Sequence, residues 1–216
     1  KNFLWTLVKQ YLDFSLAEEY FRKSMKYAYA EAFIGGTNFS NSMNLNGKYS
    51  KSNKNVYLLS YLESVLYCAR ACALQNKFSE AIQLTIDAYK LSPNYLSAGI
   101  DAVKYLCVIN DTDKAIPLLD EIIEKNKFMT LRVIKDLDII CNDKISKYID
   151  EISKESINKL DEKIKYYTRY NVNDYPFNSI INQAKTYLDK QSFLHAKLGL
   201  ELLDENKDWL VNKLYV

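Results

Sequence analysis

Residues 62–95 read LESVLYCARACALQNKFSEAIQLTIDAYKLSPNY. Ala69, Phe78, Ala81, Ala88 and Pro93 fall in steps of nine, three, seven and five. Val65, Cys68, Ala69 and Cys72 recur at helical spacing, and so do Ala81, Leu84, Ala88 and Leu91. Between them the polar run Gln75-Asn76-Lys77-Phe78-Ser79 predicts a turn, with Ser79 as the cap of the second helix. Ser92-Pro93-Asn94 stops that helix, because proline cannot continue it and restricts the residue before it. The result is a helical hairpin with small residues at the crossing. Ala69 and Ala81 let the axes approach, Phe78 closes the end of the cleft, and Ala88 leaves room for a following hairpin. A unit this thin cannot bury its own apolar faces and must stack on similar units.

The same steps return along the chain. Val103, Thr112, Ala115 and Ile122 stand one repeat length after Ala69, Phe78, Ala81 and Ala88, with a turn at Asn110-Asp111-Thr112-Asp113 and Pro117 expected in the first turn of the next helix. Ala184, Phe193, Ala196 and Leu203, with Tyr187 on the first helix, repeat them near the C-terminus, and Trp5, Phe14, Ala17 and Ser24 near the N-terminus. On these residues the chain resembles the tetratricopeptide repeat family. The family's Trp, Leu, Gly and Tyr of the first helix are met by Val65, Cys68, Ala69 and Cys72, and its later Ala and Pro by Ala81, Ala88 and Pro93. The resemblance implies an all-α chain of helix-turn-helix repeats stacked into an α-solenoid.

Working outward, the 216 residues read as a single α-helical repeat domain. It divides into an N-terminal helical pair over 1–34, a polar loop over 35–55, the clearest repeats over 56–128, irregular helices over 130–170 and a C-terminal hairpin over 177–216. Helices are expected near 2–12, 16–34, 56–75, 79–91, 95–109, 113–126, 130–141, 143–168, 177–190 and 193–213. Gly35-Gly36 would end the second of these. The stretch 35–55 is long for a repeat turn and is read as a tolerated or disordered insertion, with a binding loop through Lys48, Lys51 and Lys54 as the alternative.

Segment 143–168 departs from the repeat. Ile145, Ile149, Ile152, Leu160, Ile164 and Tyr167 make an apolar stripe with a gap at Ser156, and Glu155–Lys159 and Asp161–Lys165 have favourable i,i+4 spacing. This predicts one long non-repeat helix laid along the stack. Self-association through 143–168 is the alternative.

Composition narrows the function. Hydrophobic residues are 48% and charged residues 26%, the balance of a globular chain, and 5 Gly and 3 Pro are too few for an all-β sandwich. A formal net charge of +2 gives no basic field for nucleic acid, and no run reaches the length of a membrane span. Cys68, Cys72, Cys107 and Cys141 have no zinc spacing. Cys68 and Cys72 share a helix face and read as core residues rather than a redox pair; reduced cysteines suit a cytoplasmic protein. The chain begins with Lys, not Met, and is read as part of a longer protein.

Chemistry is sparse. His195 is the one histidine and has no metal partners in the sequence pattern, so it reads as structural. Gly47-Lys48 fails as a phosphate loop, since Ser42 stands where a glycine is needed and Tyr49 follows the lysine. Asp136, Asp138 and Asp143 lack the central glycine of a calcium loop. The expectation is a non-enzymatic scaffold without cofactor or metal that binds a protein or peptide; the alternative is a peptide-sensing regulatory module whose effector domain lies elsewhere. In such a stack the first helix of each pair lines a concave groove. Its lining is expected from Glu63, Leu66, Arg70 and Leu74, then Asn94 and Tyr95, then Ile100, Lys104 and Val108, with Arg70 and Lys104 as anion contacts.

Overall fold

The computed structural model describes residues 13–34, 52–169, 172 and 174–214. Among these, every regular element is helical. The helices are α1 (Phe14–Tyr29, continued by a π-helical turn Ala30–Ile34), α2 (Ser52–Leu74), α3 (Phe78–Leu91), α4 (Leu96–Val108) and α5 (Thr112–Lys125). A 3-10 turn (Lys127–Met129) follows, then α6 (Thr130–Val133), α7 (Leu137–Ile140), α8 (Asp143–Thr168), α9 (Tyr175–Asp189), α10 (Phe193–Glu205) and α11 (Lys207–Leu214). No helix among the described residues is long and apolar enough to cross a membrane. The chain divides after Leu119, within α5, into two compact units.

In the first unit α1 packs on α2, α2 on α3, and α3 on α4. Cys68, Ala69, Cys72 and Ala81 form the crossing of α2 and α3, each fully buried, and Tyr105 of α4 closes the cluster. Phe78, half-buried, packs against it. Cys68 and Cys72 are free thiols, and burial pushes both up, Cys72 to about 12. They act here as small apolar fillers. The counterparts Val103, Ala115 and Ile122 are likewise wholly buried.

The hairpin turns share a geometry. Asn76, Asn110 and Gln191 are the non-glycine residues with positive φ among those described, at 63°, 60° and 47°. Each lies seven residues after Ala69, Val103 or Ala184 and two before Phe78, Thr112 or Phe193. The left-handed residue reverses the chain so that the Lys77 N–H reaches the Cys72 carbonyl and the Asp111 N–H the Leu106 carbonyl, both at 2.9 Å. These bonds satisfy carbonyls that a helix end leaves open.

The second unit is organised by α8, on which α9 and α10 pack. Leu160, Ile164 and Tyr167 of α8 meet Phe177, Ile181 and Ala184 of α9, Ala196 and Leu203 of α10, and Leu210 of α11. A methyl at Gly199 of α10 would come within 2.7 Å of Leu160 Cδ2, so this glycine sets how closely α8 and α10 approach. The C-terminal half of the apolar stripe of α8 is therefore occupied inside the unit. Ser156 continues the buried stripe rather than interrupting it. The ion pairs Glu155–Lys159 and Asp161–Lys165 form at 2.5 Å on the solvent side.

Several boundaries differ from the sequence reading. Helix α3 begins at Phe78, one residue before Ser79, and Lys77 occupies its cap without a side-chain bond. Pro117 lies inside α5, beyond the first turn, because that helix starts at Thr112. The helix expected over 130–141 is two single turns, since the Asp136 side chain accepts from the Asp138 N–H and starts α7 anew. The helix expected over 193–213 breaks at Asn206. Helix α2 begins at Ser52, so residues 52–55 of the expected polar loop are helical. The helix near 2–12, Trp5, the Gly35-Gly36 cap, Lys48 and Lys51, and the side chain of Lys54, lie outside the described residues.

Candidate functional site

Although Tyr67 is exposed and Asp101 buried, several positions 34 residues apart on α2 and α4 have matching environments. Leu66 and Ile100 occupy one such pair and are 3% and 2% exposed. Both were expected in the groove lining, and both belong to the core, because the buried arc of each helix is one residue wider than the spacing indicated. On α2 Glu63, Tyr67 and Arg70 are exposed with Leu74 half-buried, and 34 residues later α4 carries Ser97, Asp101, Lys104 and Val108, of which Asp101 is buried and Val108 exposed. Tyr67, Ser97 and Asp101 are the members that sequence reasoning missed. The signal for them was the i,i+4 step from Glu63 and its return one repeat later on α4.

Tyr67 anchors the stripe. One face of its ring is stacked on Phe21 of α1, with centroids 5.3 Å apart, and the Arg70 guanidinium lies 5.6 Å from its centroid. The ring stays 48% exposed, a half-covered aromatic held in place by its neighbours. Arg70 reaches from α2 to α4, where Nε and Nη2 donate to Asp101 Oδ2 at 3.0 and 2.9 Å. Asp101 is buried and Arg70 is not, so the pair presents its cationic edge outward. Burial works against the charged Arg70, and the Asp101 carboxylate more than offsets it, raising its pKa. The guanidinium expected as an anion contact is thus already paired with a carboxylate of the chain.

Tyr95 precedes α4 and is half-buried. Burial first, and then the Glu63 carboxylate, push its phenol up, while Arg70 works the other way. Glu63, Tyr67, Arg70, Tyr95 and Asp101 therefore form one neighbourhood. Leu74 and Lys104 are half-buried, while Asn94 and Val108 are exposed.

A second polar cluster ties α1, α2 and α3. Glu18 accepts from Arg22 Nε, Gln75 Nε2 and Lys77 Nζ, each at 2.8 Å, and Arg22 also donates to Glu80. Lys77 foremost, then Arg22, hold the Glu18 carboxyl down to about 2. The donor atoms of Glu18, Cys72 and Glu80 lie within 4.8 Å of one another, a spacing a metal ion would accept. The Arg22 guanidinium already bonds both carboxylates, and Cys72 stays a thiol, so an organic cation of the chain fills that place. This is a structural tie. His195 is structural too: its Nδ1 lies 2.7 Å from Ser192 Oγ, which also accepts from the His195 N–H and caps α10.

Comparison with known protein families, with curated proteins and with solved structures finds no match to this chain.

Proposed function

We propose that the chain is a tetratricopeptide-like repeat module that binds an extended peptide segment of a protein partner along the α2–α4 face. The observation that carries the reading is Tyr67, a half-exposed aromatic clamped by Phe21 and Arg70 beside the Arg70–Asp101 pair. Rigid aromatics next to a satisfied ion pair are the groups that anchor peptide side chains and backbone at low entropic cost. Leu74 and Val108 extend the face with apolar surface, and Glu63 and Tyr95 add polar contacts. Two further observations support a repeat architecture: the small residues buried at Ala69, Ala81 and Ala88, and the left-handed turn residue at the same step in three hairpins. Stacked hairpins of this kind present their first helices on a shared inner surface. The segment recognised carries apolar side chains for Tyr67 and is not selected by a carboxylate, since Arg70 is neutralised by Asp101.

The test is selection of peptides from a displayed library on the full chain, followed by polarisation titration of the winners. Tyr67→Ala weakens binding by about tenfold or more while the chain keeps its helical circular dichroism at the assay temperature. Peptides that bind Tyr67→Ala as well as the parent, or a library that yields no binder, defeat the proposal.

A further inference from the structure

The second unit carries an open cleft of about 440 Å³ between the end of α5, the middle of α8 and the start of α10. Ile123 and Phe193, both buried, form apolar parts of its lining. Ser156 lines it as well. The residue is 6% exposed, and no group among the described residues bonds its hydroxyl. No side-chain oxygen among them is both sealed off and unbonded, so the Ser156 hydroxyl opens onto the cleft. A nearly buried hydroxyl without a partner at a cleft wall is a place where a ligand supplies the missing bond.

The charges around this hydroxyl separate by sign. Lys197 of α10 rests 5.4 Å above the Phe193 ring and pairs with no carboxylate among the described residues. Glu155 senses it electrostatically but is itself bridged to Lys159 at 2.5 Å. Lys127 of the 3-10 turn is taken by Glu201, and Lys125 by Glu121. On α5, Asp120 accepts from the neutral Tyr148 hydroxyl at 2.6 Å, and Glu124, one helical turn on, has no cationic partner among the described residues. Two uncompensated carboxylates on α5 thus share the cleft with one uncompensated ammonium on α10 and a free hydroxyl on α8.

We propose that this cleft binds a small zwitterion with an aliphatic side chain. Its carboxylate would lie on Lys197 and Ser156, its ammonium on Asp120 and Glu124, and its side chain on Ile123 and Phe193. A free amino acid and a short peptide with both termini free share this chemistry. The site is independent of the α2–α4 face.

Calorimetric titration of the full chain with L-leucine and with leucyl-leucine tests it. At least one of the two binds, and the one that binds identifies the source. Leucine amide, which lacks the carboxylate, and 4-methylpentanoate, which lacks the ammonium, each bind about tenfold or more weakly. Lys197→Met produces the same loss for the zwitterion with an unchanged melting temperature, and Ser156→Ala a smaller one. Failure of both zwitterions to bind at millimolar concentration overturns the proposal. So does binding that Lys197→Met leaves intact, or equal binding of the amide and the acid.

Discussion

The two units solve the same packing problem with different side chains. In the first, helices cross on Cys68, Ala69, Cys72 and Ala81, and the neighbouring helices are tied by charge through Glu18–Arg22–Lys77 and Arg70–Asp101. In the second, the centre is large and aliphatic, with Leu160, Ile164, Ile181 and Leu203 gathered around one 26-residue helix. Small crossings bury little apolar area per residue, so polar ties between helices supply part of the specificity there. Large side chains around a long helix bury more apolar area by themselves, and the charges of α8 pair both along its solvent face, as Glu155–Lys159 and Asp161–Lys165, and across to α10, as Lys163–Asp204. The steps of nine, three and seven residues are therefore compatible with two kinds of core. What differs is the partner helix: α4 against the first hairpin, α8 against the last.

Opposite substitutions in the two cores test this contrast most directly. Leu160→Ala costs about 3–4 kcal/mol, through the lost burial and the cavity left beside Gly199. With Trp5 replaced by Phe, Trp209 fluorescence during urea unfolding reads the second unit, because Trp209 packs on its core. A cost below about 1 kcal/mol would mean the second core is not tightly packed. Ala81→Leu in the first unit costs about 1–3 kcal/mol by overpacking against Cys68 and Ala69. A stable Ala81→Leu protein would show that the crossing does not need small residues.

The charged tie gives the first unit a pH signature of its own; in the second unit Asp174 is lowered as well, by Lys213 first. The Glu18 carboxyl is held at about 2, below its ordinary 4.5, by Lys77 and Arg22. A depressed folded-state pKa adds stability above the unfolded value and loses it as the pH falls through the folded one. Glu18→Gln is accordingly less stable than the parent at pH 7 by about 1–2 kcal/mol. The difference closes as the pH falls from 4.5 towards 2. Denaturation curves of the two proteins at several pH values measure it, and a gap that persists at pH 2 would remove Glu18 from the tie.

The smallest effect has the opposite sign. Gln191 adopts a φ of 47°, a strained conformation for a side chain of its kind, so Gln191→Gly stabilises the chain by about 0.5–1 kcal/mol. Asn76→Gly gains less, because asparagine tolerates that region better. A melting temperature that falls in Gln191→Gly would place the side chain in a contact worth more than the strain.

Helix after helix was legible in the sequence because burial at period 3.6 writes itself into residue type. Ala69, Ala81, Val103, Ala184 and Leu203 are buried as their spacing required, and Asp143–Thr168 is one helix, as its apolar stripe indicated despite the gap at Ser156. Breaks without glycine or proline were not legible. Asp136 and Asn206 interrupt helices through local hydrogen bonding that competes with continuation, and their residue types are common inside helices as well. The α2–α4 face proposed for binding differs from the expected groove lining by one position, with Tyr67 and Asp101 in place of the buried Leu66 and Ile100. A helical wheel fixes the direction of a side chain only to within the width of the buried arc, and that width depends on how many helices surround the stripe.

Local spacing and side-chain volume were enough to establish that the chain is helical, where its hairpins turn and which residues are small at their crossings. Which charges meet came only from the packing of the helices. Arg70 and Asp101 are 31 residues apart along the chain, and Lys77 and Glu18 are 59 apart. Lys197 and the unbonded Ser156 stand on separate helices, α10 and α8, that meet across a third-party cleft. Pairing over such distances is set by helix packing angles and interaxial distances, which no local pattern encodes.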